Sequence, residues 1–348
     1  MKLKIAPENL LERIALRFNL APTPLVDTQV AFNAARAIMA GAALGIFEAI
    51  GKDKKNEAEI TDACKTDPEA TRQLIDCLVG IGYLKWSGGY YSLRPKYYKW
   101  LLKEYPSNLL GKLRFQFSEW NWMSGLEEYV RTGQPMELHS VLSAEEWSSY
   151  QEGMRDLSIN ASKELAKKIK LTTSARAMLD VGGSHGLYSI ELCKRYPSLQ
   201  STILELPGAM DRASQIAAEH GRTDQVKYKA GNVLFDDLGK DQYDLIMINN
   251  VVHHFTEQQN KELAKKVIHA LKPGGLYGIG EFIRREKPGE GGAVAATSGL
   301  YFAMISSSGT WSREEMMGWQ TEAGLKTMKP VKLMTLPGWE MLLAVKSQ

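Results

Sequence analysis

The sequence predicts an α/β protein: a doubly wound, mostly parallel sheet preceded by a mainly helical first half. Three observations carry that prediction. From residue 171 onward, short apolar runs alternate with amphipathic segments. The first of those runs ends in Asp180 and passes at once into the glycine-rich turn Gly182-Gly183-Ser184-His185-Gly186. Before residue 170 the apolar side chains recur mainly at helical spacing.

Taken in order, Val26 to Ile50 carries Ala, Ile, Leu and Phe on a helical period, interrupted by Gly41 and Gly45. Glu57 to Cys64 reads as a short helix, and Asp67-Pro68 opens the next one, Glu69 to Ile81. Gly82 to Trp86 and Tyr90 to Leu93 read as two small strands joined by Ser87-Gly88-Gly89. Two helices and a two-stranded wing make a winged-helix pattern. A DNA-reading helix needs several cationic or amide side chains on one face. The helix from Glu69 offers only Arg72 and Gln73 beside Glu69 and Asp76, which suits packing or dimerisation better.

Residues 108 to 130 are rich in aromatics, with Phe115, Phe117, Trp120, Trp122 and Tyr129. Another helical stretch carries Tyr150 and Met154 and runs to Ile169. Most of these side chains read as core or interface; a few are candidates to line an apolar pocket for a flat molecule. Five strands are then expected at Ala177–Val181, Gln200–Leu204, Val226–Ala230, Tyr243–Asn249 and Gly275–Phe282, with two more at Thr327–Met334 and Gly338–Val345. Lys287 to Gly292 reads as a loop. The expected division is a helical domain over 1–105, a helical connector over 106–170 and the sheet domain over 171–348.

Composition narrows the class. Of 348 residues, 44% are hydrophobic and 24% charged, as in soluble globular proteins. A net charge of +3 is close to neutral for this size, so no nucleic-acid or membrane partner is implied. No apolar run reaches the ~18–20 residues that span a bilayer, and Met1 to Glu8 lacks a signal-type apolar segment. Cys64, Cys77 and Cys193 are scattered without metal-ligand spacing and read as reduced thiols of a cytoplasmic protein.

A buried strand, a tight loop and a helix N-terminus together present backbone N–H groups to a ligand. The next apolar run ends in Glu205, where a nucleotide-like cofactor presents its ribose hydroxyls. The turn lacks the G-x-G-x-x-G spacing of a dinucleotide site, and no Lys follows Gly186 as a phosphate-gripping loop requires. His185 within the turn reads as a loop-shaping or exposed residue. Beyond Glu205 come Gly231-Asn232-Val233, then Asn249-Asn250-Val251-Val252-His253-His254-Phe255, then Leu271-Lys272-Pro273-Gly274-Gly275.

This ordered series resembles the motifs of S-adenosylmethionine-dependent small-molecule O-methyltransferases. The likeness is strongest to the branch with plant caffeate-type and bacterial antibiotic enzymes, which carry a winged-helix dimerisation domain before a Rossmann-like methyltransferase domain. The resemblance covers nearly the whole chain. It implies S-adenosylmethionine as cofactor, bound by Asp180, Gly182, Gly186, Glu205, Leu206, Asn232, Val233 and Asn249. Glu205 would hold the ribose hydroxyls, Asn232 would stand near the adenine where the family often has Asp, and Asn249 near the methionine part. It further implies a small-molecule acceptor and a homodimer through the N-terminal domain.

For the chemistry, the residue pattern leaves His253 and His254 both open, since at a strand end they would face opposite ways. The resemblance selects His253 as general base and places His254 where the family commonly has Asp. Glu281 matches the acid that orients the base. The family's second acid falls at Thr310, a departure that weakens a two-acid clamp. Tyr150 and Met154 match a Phe-x-x-x-Met segment of the acceptor pocket, to which Tyr301, Phe302 and Met304 are added as candidates. The expected reaction is metal-independent methylation of a hydroxyl on an aromatic or polyketide-like molecule. The alternative is a methyltransferase-like enzyme that uses the bound cofactor for hydroxylation, decarboxylation or cyclisation. A cofactor-sensing winged-helix regulator is a third reading, disfavoured by the weakly basic helix.

Overall fold

The computed structural model describes residues 6–136, 142–221 and 224–347. Met1 to Ile5, whose sequence argued against a leader segment, lie outside the described residues. The chain divides into two compact units between Phe117 and Ser118.

In the first unit local signals set the helix starts. Asn56 and Glu59 form a capping box that opens the helix Glu57–Cys64. The Asp67 carboxylate accepts from the Ala70 amide and Pro68 occupies the first turn of the helix Pro68–Gly80. The long helical reading from Val26 is split: a π turn at Val26–Val30, then helices Ala31–Ala43 and Ile46–Ile50. Gly45, at φ 79°, makes the break. Strands β1 (Leu84–Ser87) and β2 (Tyr90–Leu93) pair antiparallel, Ser87 opposite Tyr90. Gly88 and Gly89 supply the two positive φ values, 60° and 83°, that a two-residue hairpin turn requires. Ile46, Phe47, Ile60, Ile75, Leu78, Leu84 and Leu93 fill the core beneath. Arg72 of the second helix is ion-paired with Glu69 one turn earlier.

Among the described residues the second unit is built on an eight-stranded sheet in the order β5-β4-β3-β6-β7-β10-β8, with β9 also on β10. Its strands are β3 (Ala177–Val181), β4 (Gln200–Glu205), β5 (Val226–Ala230), β6 (Tyr243–Asn249), β7 (Leu271–Phe282), β8 (Lys326–Thr327), β9 (Val331–Lys332) and β10 (Trp339–Val345). The β5-β4-β3-β6-β7 run is parallel, and β10 returns antiparallel to β7. Helices cover both faces, so the central strands are apolar on both. Met178, Leu245 and Met247 enter one core, while Leu179, Ile246 and Ile248 enter the other, following the two-residue period of a strand.

Two expectations need correction. The run Thr327–Met334 is two short strands, because Pro330 between them has no N–H for the ladder. Strand β7 begins at Leu271, four residues before the expected Gly275. The strand order reverses between β3 and β6, so the crevice beyond their carboxyl ends is where a sheet of this kind receives ligands.

Candidate active site

The loop after β3 is shaped by glycine at three successive tight places. Gly182 has φ 64°, and a Cβ there would stand 2.7 Å from Val251 Cγ2, across the crevice. A Cβ on Gly183 would meet the Asp180 carboxyl at 2.7 Å. Gly186, at φ 71°, starts the helix Leu187–Arg195. Asp180 lies beneath this loop: its Oδ2 accepts from Ser189 Oγ at 2.7 Å, and Ser189 Oγ accepts from Ser201 Oγ at 2.8 Å. Burial, opposed by the Ser189 bond and reinforced by Glu205, pushes its carboxyl up to about 7. His185 is buried, and its Nδ1 accepts from the Leu187 amide at 3.2 Å, so it closes the helix start as a neutral ring. Burial first, then His220 and Arg155, holds it down to about 3.

Glu205 ends β4 next to this loop. Its Oε2 accepts from the Ser184 amide at 3.0 Å and its Oε1 from the Leu206 amide at 2.8 Å. Burial raises its carboxyl against the pull of those two amides. The Tyr228 hydroxyl donates to Ser184 O at 2.6 Å, pinning a residue held at φ 44°. Asn232 turns inward to its own loop: Oδ1 accepts from the Leu234 amide, and its amide donates to Asp236 Oδ2. Val233 is buried and Leu206 is exposed.

Asn249 ends β6 at the other lip of the crevice. Both its side-chain nitrogen and oxygen are buried, with no hydrogen-bond partner among the described residues. Gly280 on β7 makes room for it, since a Cβ there would come within 2.3 Å of Asn249 Oδ1. The chain then turns at Asn250, whose Oδ1 accepts from Trp339 Nε1 at 3.0 Å.

That turn leads into a 3-10 helix, Val252–His254, and corrects the strand-end argument about the two histidines. Off the strand, successive side chains no longer alternate, and the rings of His253 and His254 pack at 4.2 Å between centroids. His253 is 3% exposed and Glu281 is 0%. His253 Nδ1 and Glu281 Oε2 are 2.8 Å apart, and Glu281 Oε1 accepts from the Phe282 amide at 2.9 Å. The turn itself is held by Asn260 Nδ2 and Trp311 Nε1, both donating to Val252 O. Thr310 lines a cavity of about 290 Å³ with Arg284, Gly299 and Leu300, and its carbonyl accepts from Arg284.

Aromatic side chains wall the histidine. Phe302 packs 4.7 Å from the His253 ring and 5.5 Å from Phe282, and Tyr301 lies 5.6 Å from Phe302. The Tyr301 hydroxyl donates to Glu119 Oε1 at 2.8 Å. Tyr150, on the helix Ala144–Lys168, has its hydroxyl raised by burial and then by Glu205, Glu119 and Glu281, which places it within electrostatic reach of both halves of the site. Met154 is half-buried one turn further along. Met304 is closed off from solvent, as a packing residue is. Ser184, Tyr228, Gly280 and Glu119 were not singled out from sequence. Only the glycine, in the alternating run Gly278-Ile279-Gly280, carried a visible signal of close approach.

A glycine-shaped loop and an acid at the switch point of a parallel sheet, beside a buried His–Glu pair, are the features of a cofactor-binding α/β enzyme. The chain matches the O-methyltransferase domain family over residues 127–325, and it belongs to that family. It is similar to a 3-hydroxy-5-methyl-1-naphthoate 3-O-methyltransferase of Streptomyces sahachiroi, 24% identical over 323 residues that make up 89% of this chain and 91% of the relative. It is also similar to an N,N-dimethyltransferase of Streptomyces rimosus, 21% identical over 92% of this chain and 96% of the relative. Human N-acetylserotonin methyltransferase, solved with S-adenosylmethionine, shares the fold with a TM-score of 0.83 at 18% identity, covering 99% of this chain and 100% of that one.

The protein is thus an S-adenosylmethionine-dependent O-methyltransferase. The crevice fits such a cofactor: its loop excludes side chains at Gly182 and Gly183, and Asn249 keeps a buried amide without a hydrogen-bond partner among the described residues. Among the described residues no helix is long and apolar enough to cross a membrane, and no cluster of His, Cys, Asp or Glu could hold a metal.

Proposed function

We propose that this enzyme methylates a hydroxyl of an aromatic or polyketide-like small molecule, with His253 as the general base. One observation carries the reading: the buried 2.8 Å contact between His253 Nδ1 and Glu281 Oε2. An ionised carboxylate is acceptor-only, so in this reading the neutral ring carries its proton on Nδ1. Nε2 is left with the lone pair that takes a proton from the acceptor hydroxyl. As that proton arrives, Glu281 stabilises the positive ring that forms. Phe302, Phe282 and Tyr301 keep water from the base and offer flat surfaces to an aromatic acceptor.

S-adenosylmethionine, when bound, supplies a sulfonium methyl that is already a strong electrophile. Holding two reactants in line contributes roughly 7–11 kcal/mol towards such a barrier. In this reading Gly182, Gly183 and Ser184 approach the cofactor with backbone and Glu205 takes the ribose hydroxyls. Asn232, Val233 and Leu206 lie at the adenine side, and Asn249 at the methionine side. Asp180 acts one layer below, through the shape of the loop. Tyr150, Met154, Tyr301 and Phe302 form the acceptor wall. The naphthoate specificity of the Streptomyces sahachiroi relative supports an acceptor of this size. A homodimer through the N-terminal unit belongs to the same reading, supported by exposed Leu10, Leu11, Phe18 and Leu20.

The test is turnover of S-adenosylmethionine against a panel of phenols, naphthols and hydroxylated polyketides, followed by mass spectrometry. The expected result is acceptor-dependent S-adenosylhomocysteine together with a product heavier by one CH₂. An altered acceptor that gains oxygen or loses carbon dioxide, with the cofactor intact, would replace this reading with the non-methylating one.

A further inference from the structure

The sheet register sets a second buried carboxylate beside Glu281. Glu340 of β10 pairs directly with Glu281 of β7. Residues opposite each other in an antiparallel ladder project on the same face, with Cβ atoms about 4.5–5.5 Å apart. Glu340 is 2% exposed. Like charges so placed repel, and an unanswered charge on Glu340 would push the Glu281 carboxylate away from the position in which it meets Nδ1 of His253.

Cations answer the charge of Glu340. Arg313 clamps it with Nε at 3.0 Å from Oε2 and Nη2 at 2.8 Å from Oε1 and 2.9 Å from Oε2. Arg285 and Lys332 stand 3.7 and 3.8 Å from Oε1. Glu314 and Glu290 lie within electrostatic range of Arg313, and Glu286 beside Glu314. The groups facing Glu281 are His253, with His254 packed on its ring, and Tyr150. Of the charges gathered here, Glu340 is the one whose position relative to Glu281 the ladder fixes.

We propose that Arg313 and Glu340 are a positioning pair for the base: the guanidinium neutralises the carboxylate that faces Glu281, so that Glu281 keeps its place beside His253. Its consequence for turnover rests on His253 acting as the base, whereas the pairing itself stands on the register and the distances. A bidentate fork suits the task, because it spreads the charge over both oxygens and fixes where the carboxylate points. The competing account is purely mechanical, a tether from the helix Arg313–Glu322 to β10.

A double-mutant cycle separates the two accounts. The probe is the Nδ1 proton resonance of His253 in the cofactor-free protein, assigned by its loss in His253→Gln, read alongside kcat. Arg313→Met should weaken or abolish the resonance and lower kcat roughly tenfold, as expected for a lost charge partner beside a catalytic dyad. Arg313→Met combined with Glu340→Gln should restore both, because the charge that needed neutralising is gone. A mechanical tether would be no better in the double variant, and that result overturns the proposal, as does an unchanged resonance in Arg313→Met. Should Arg313→Met fail to fold, Arg313→Lys, which keeps the charge without the fork, should give a partial loss; an unaltered resonance there is equally fatal. If the resonance follows the cycle but His253→Gln leaves turnover intact, the assignment of the base fails and the pairing stands.

Discussion

The loop after β3 and the turn after β6 lie at the carboxyl ends of adjacent parallel strands, yet they are made of different material. The loop is a backbone device. Its shape follows from Gly182, Gly183 and Gly186, and its partners Leu204, Glu205 and Ser189 come from residues 180–206, with Tyr228 of β5 joining them from beyond that stretch. The turn is a side-chain device. His253 takes its orientation from Glu281, 28 positions away on β7, and its wall from Phe302 on the helix Gly292–Ile305. In the function proposed here the cofactor half works by excluding Cβ atoms, and the acceptor half by holding a proton at a chosen atom. Substitutions should divide along that line.

His253→Ala should give the largest effect. It removes the proposed base and leaves the loop untouched, so turnover should fall by roughly 10²–10⁴-fold, while calorimetric titration should find cofactor affinity nearly unchanged. Loss of both together would erase the distinction between the two halves. Gly182→Val is the mirror experiment. It forces a β-branched residue to φ 64° and drives its Cβ towards Val251 at 2.7 Å. Left-handed strain alone should cost roughly 10–100-fold in affinity, and the clash adds to it. Wild-type cofactor affinity in that variant would mean that the loop does not need its close approach.

The same difference explains what could be read in the sequence. Gly182, Gly186 and Glu205 sit in one contiguous strand–loop–helix–strand stretch, where glycine is a direct statement about backbone shape. The β3, β5 and β6 limits were legible for a similar reason, since each is a short apolar run between turn residues. Glu281 was found by likeness to a motif, and its pairing with His253 depends on β7 lying beside β6. The facing of Glu281 and Glu340 depends on the antiparallel register of β10, which no local pattern encodes. Glu119 is a charged residue among aromatics on the helix Leu110–Met123, and nothing in its neighbours announces Tyr301. Pro330 was visible, but apolar residues spaced on either side of it, Leu325 and Met328 before and Val331 and Leu333 after, concealed the break it makes.

Inside the backbone device two buried groups titrate in opposite senses, which gives a sharper test of how closed the loop is. Asp180 is held up to about 7, from an ordinary ~3.9. Between those values the folded state keeps a proton that the unfolded chain has released, so stability falls as pH rises. His185 is held down to about 3, from ~6.5. Between those values the unfolded chain takes a proton that the folded state refuses, so stability falls as pH drops. The two slopes oppose each other between about pH 4 and 6.5. His185→Asn should leave Asp180 unopposed, and its Tm relative to wild type should climb on acidification through that window. Asp180→Asn should show the reverse. Scanning calorimetry across the window decides it, and parallel curves for all three proteins would mean that neither group is held as described.

The smallest effect belongs to the acceptor wall, and it tests whether the side-chain half has an outer edge. Tyr301 commits its only hydroxyl proton to Glu119, so the phenolic oxygen faces any further partner as an acceptor. It is joined to the proposed base by two successive ring contacts, 5.6 Å to Phe302 and 4.7 Å onward to His253, which sets it one ring beyond that histidine. Tyr301→Phe keeps the ring and its packing and deletes one hydrogen-bonding atom. A net hydrogen bond of about 0.5–1.5 kcal/mol corresponds to roughly 2–10-fold. KM for acceptors carrying a second hydroxyl should rise by that factor with kcat nearly constant, and acceptors without one should not notice the change. A kcat loss comparable to that of His253→Ala would instead place Tyr301 at the reacting centre, and the proposed division between base and wall would have to be redrawn.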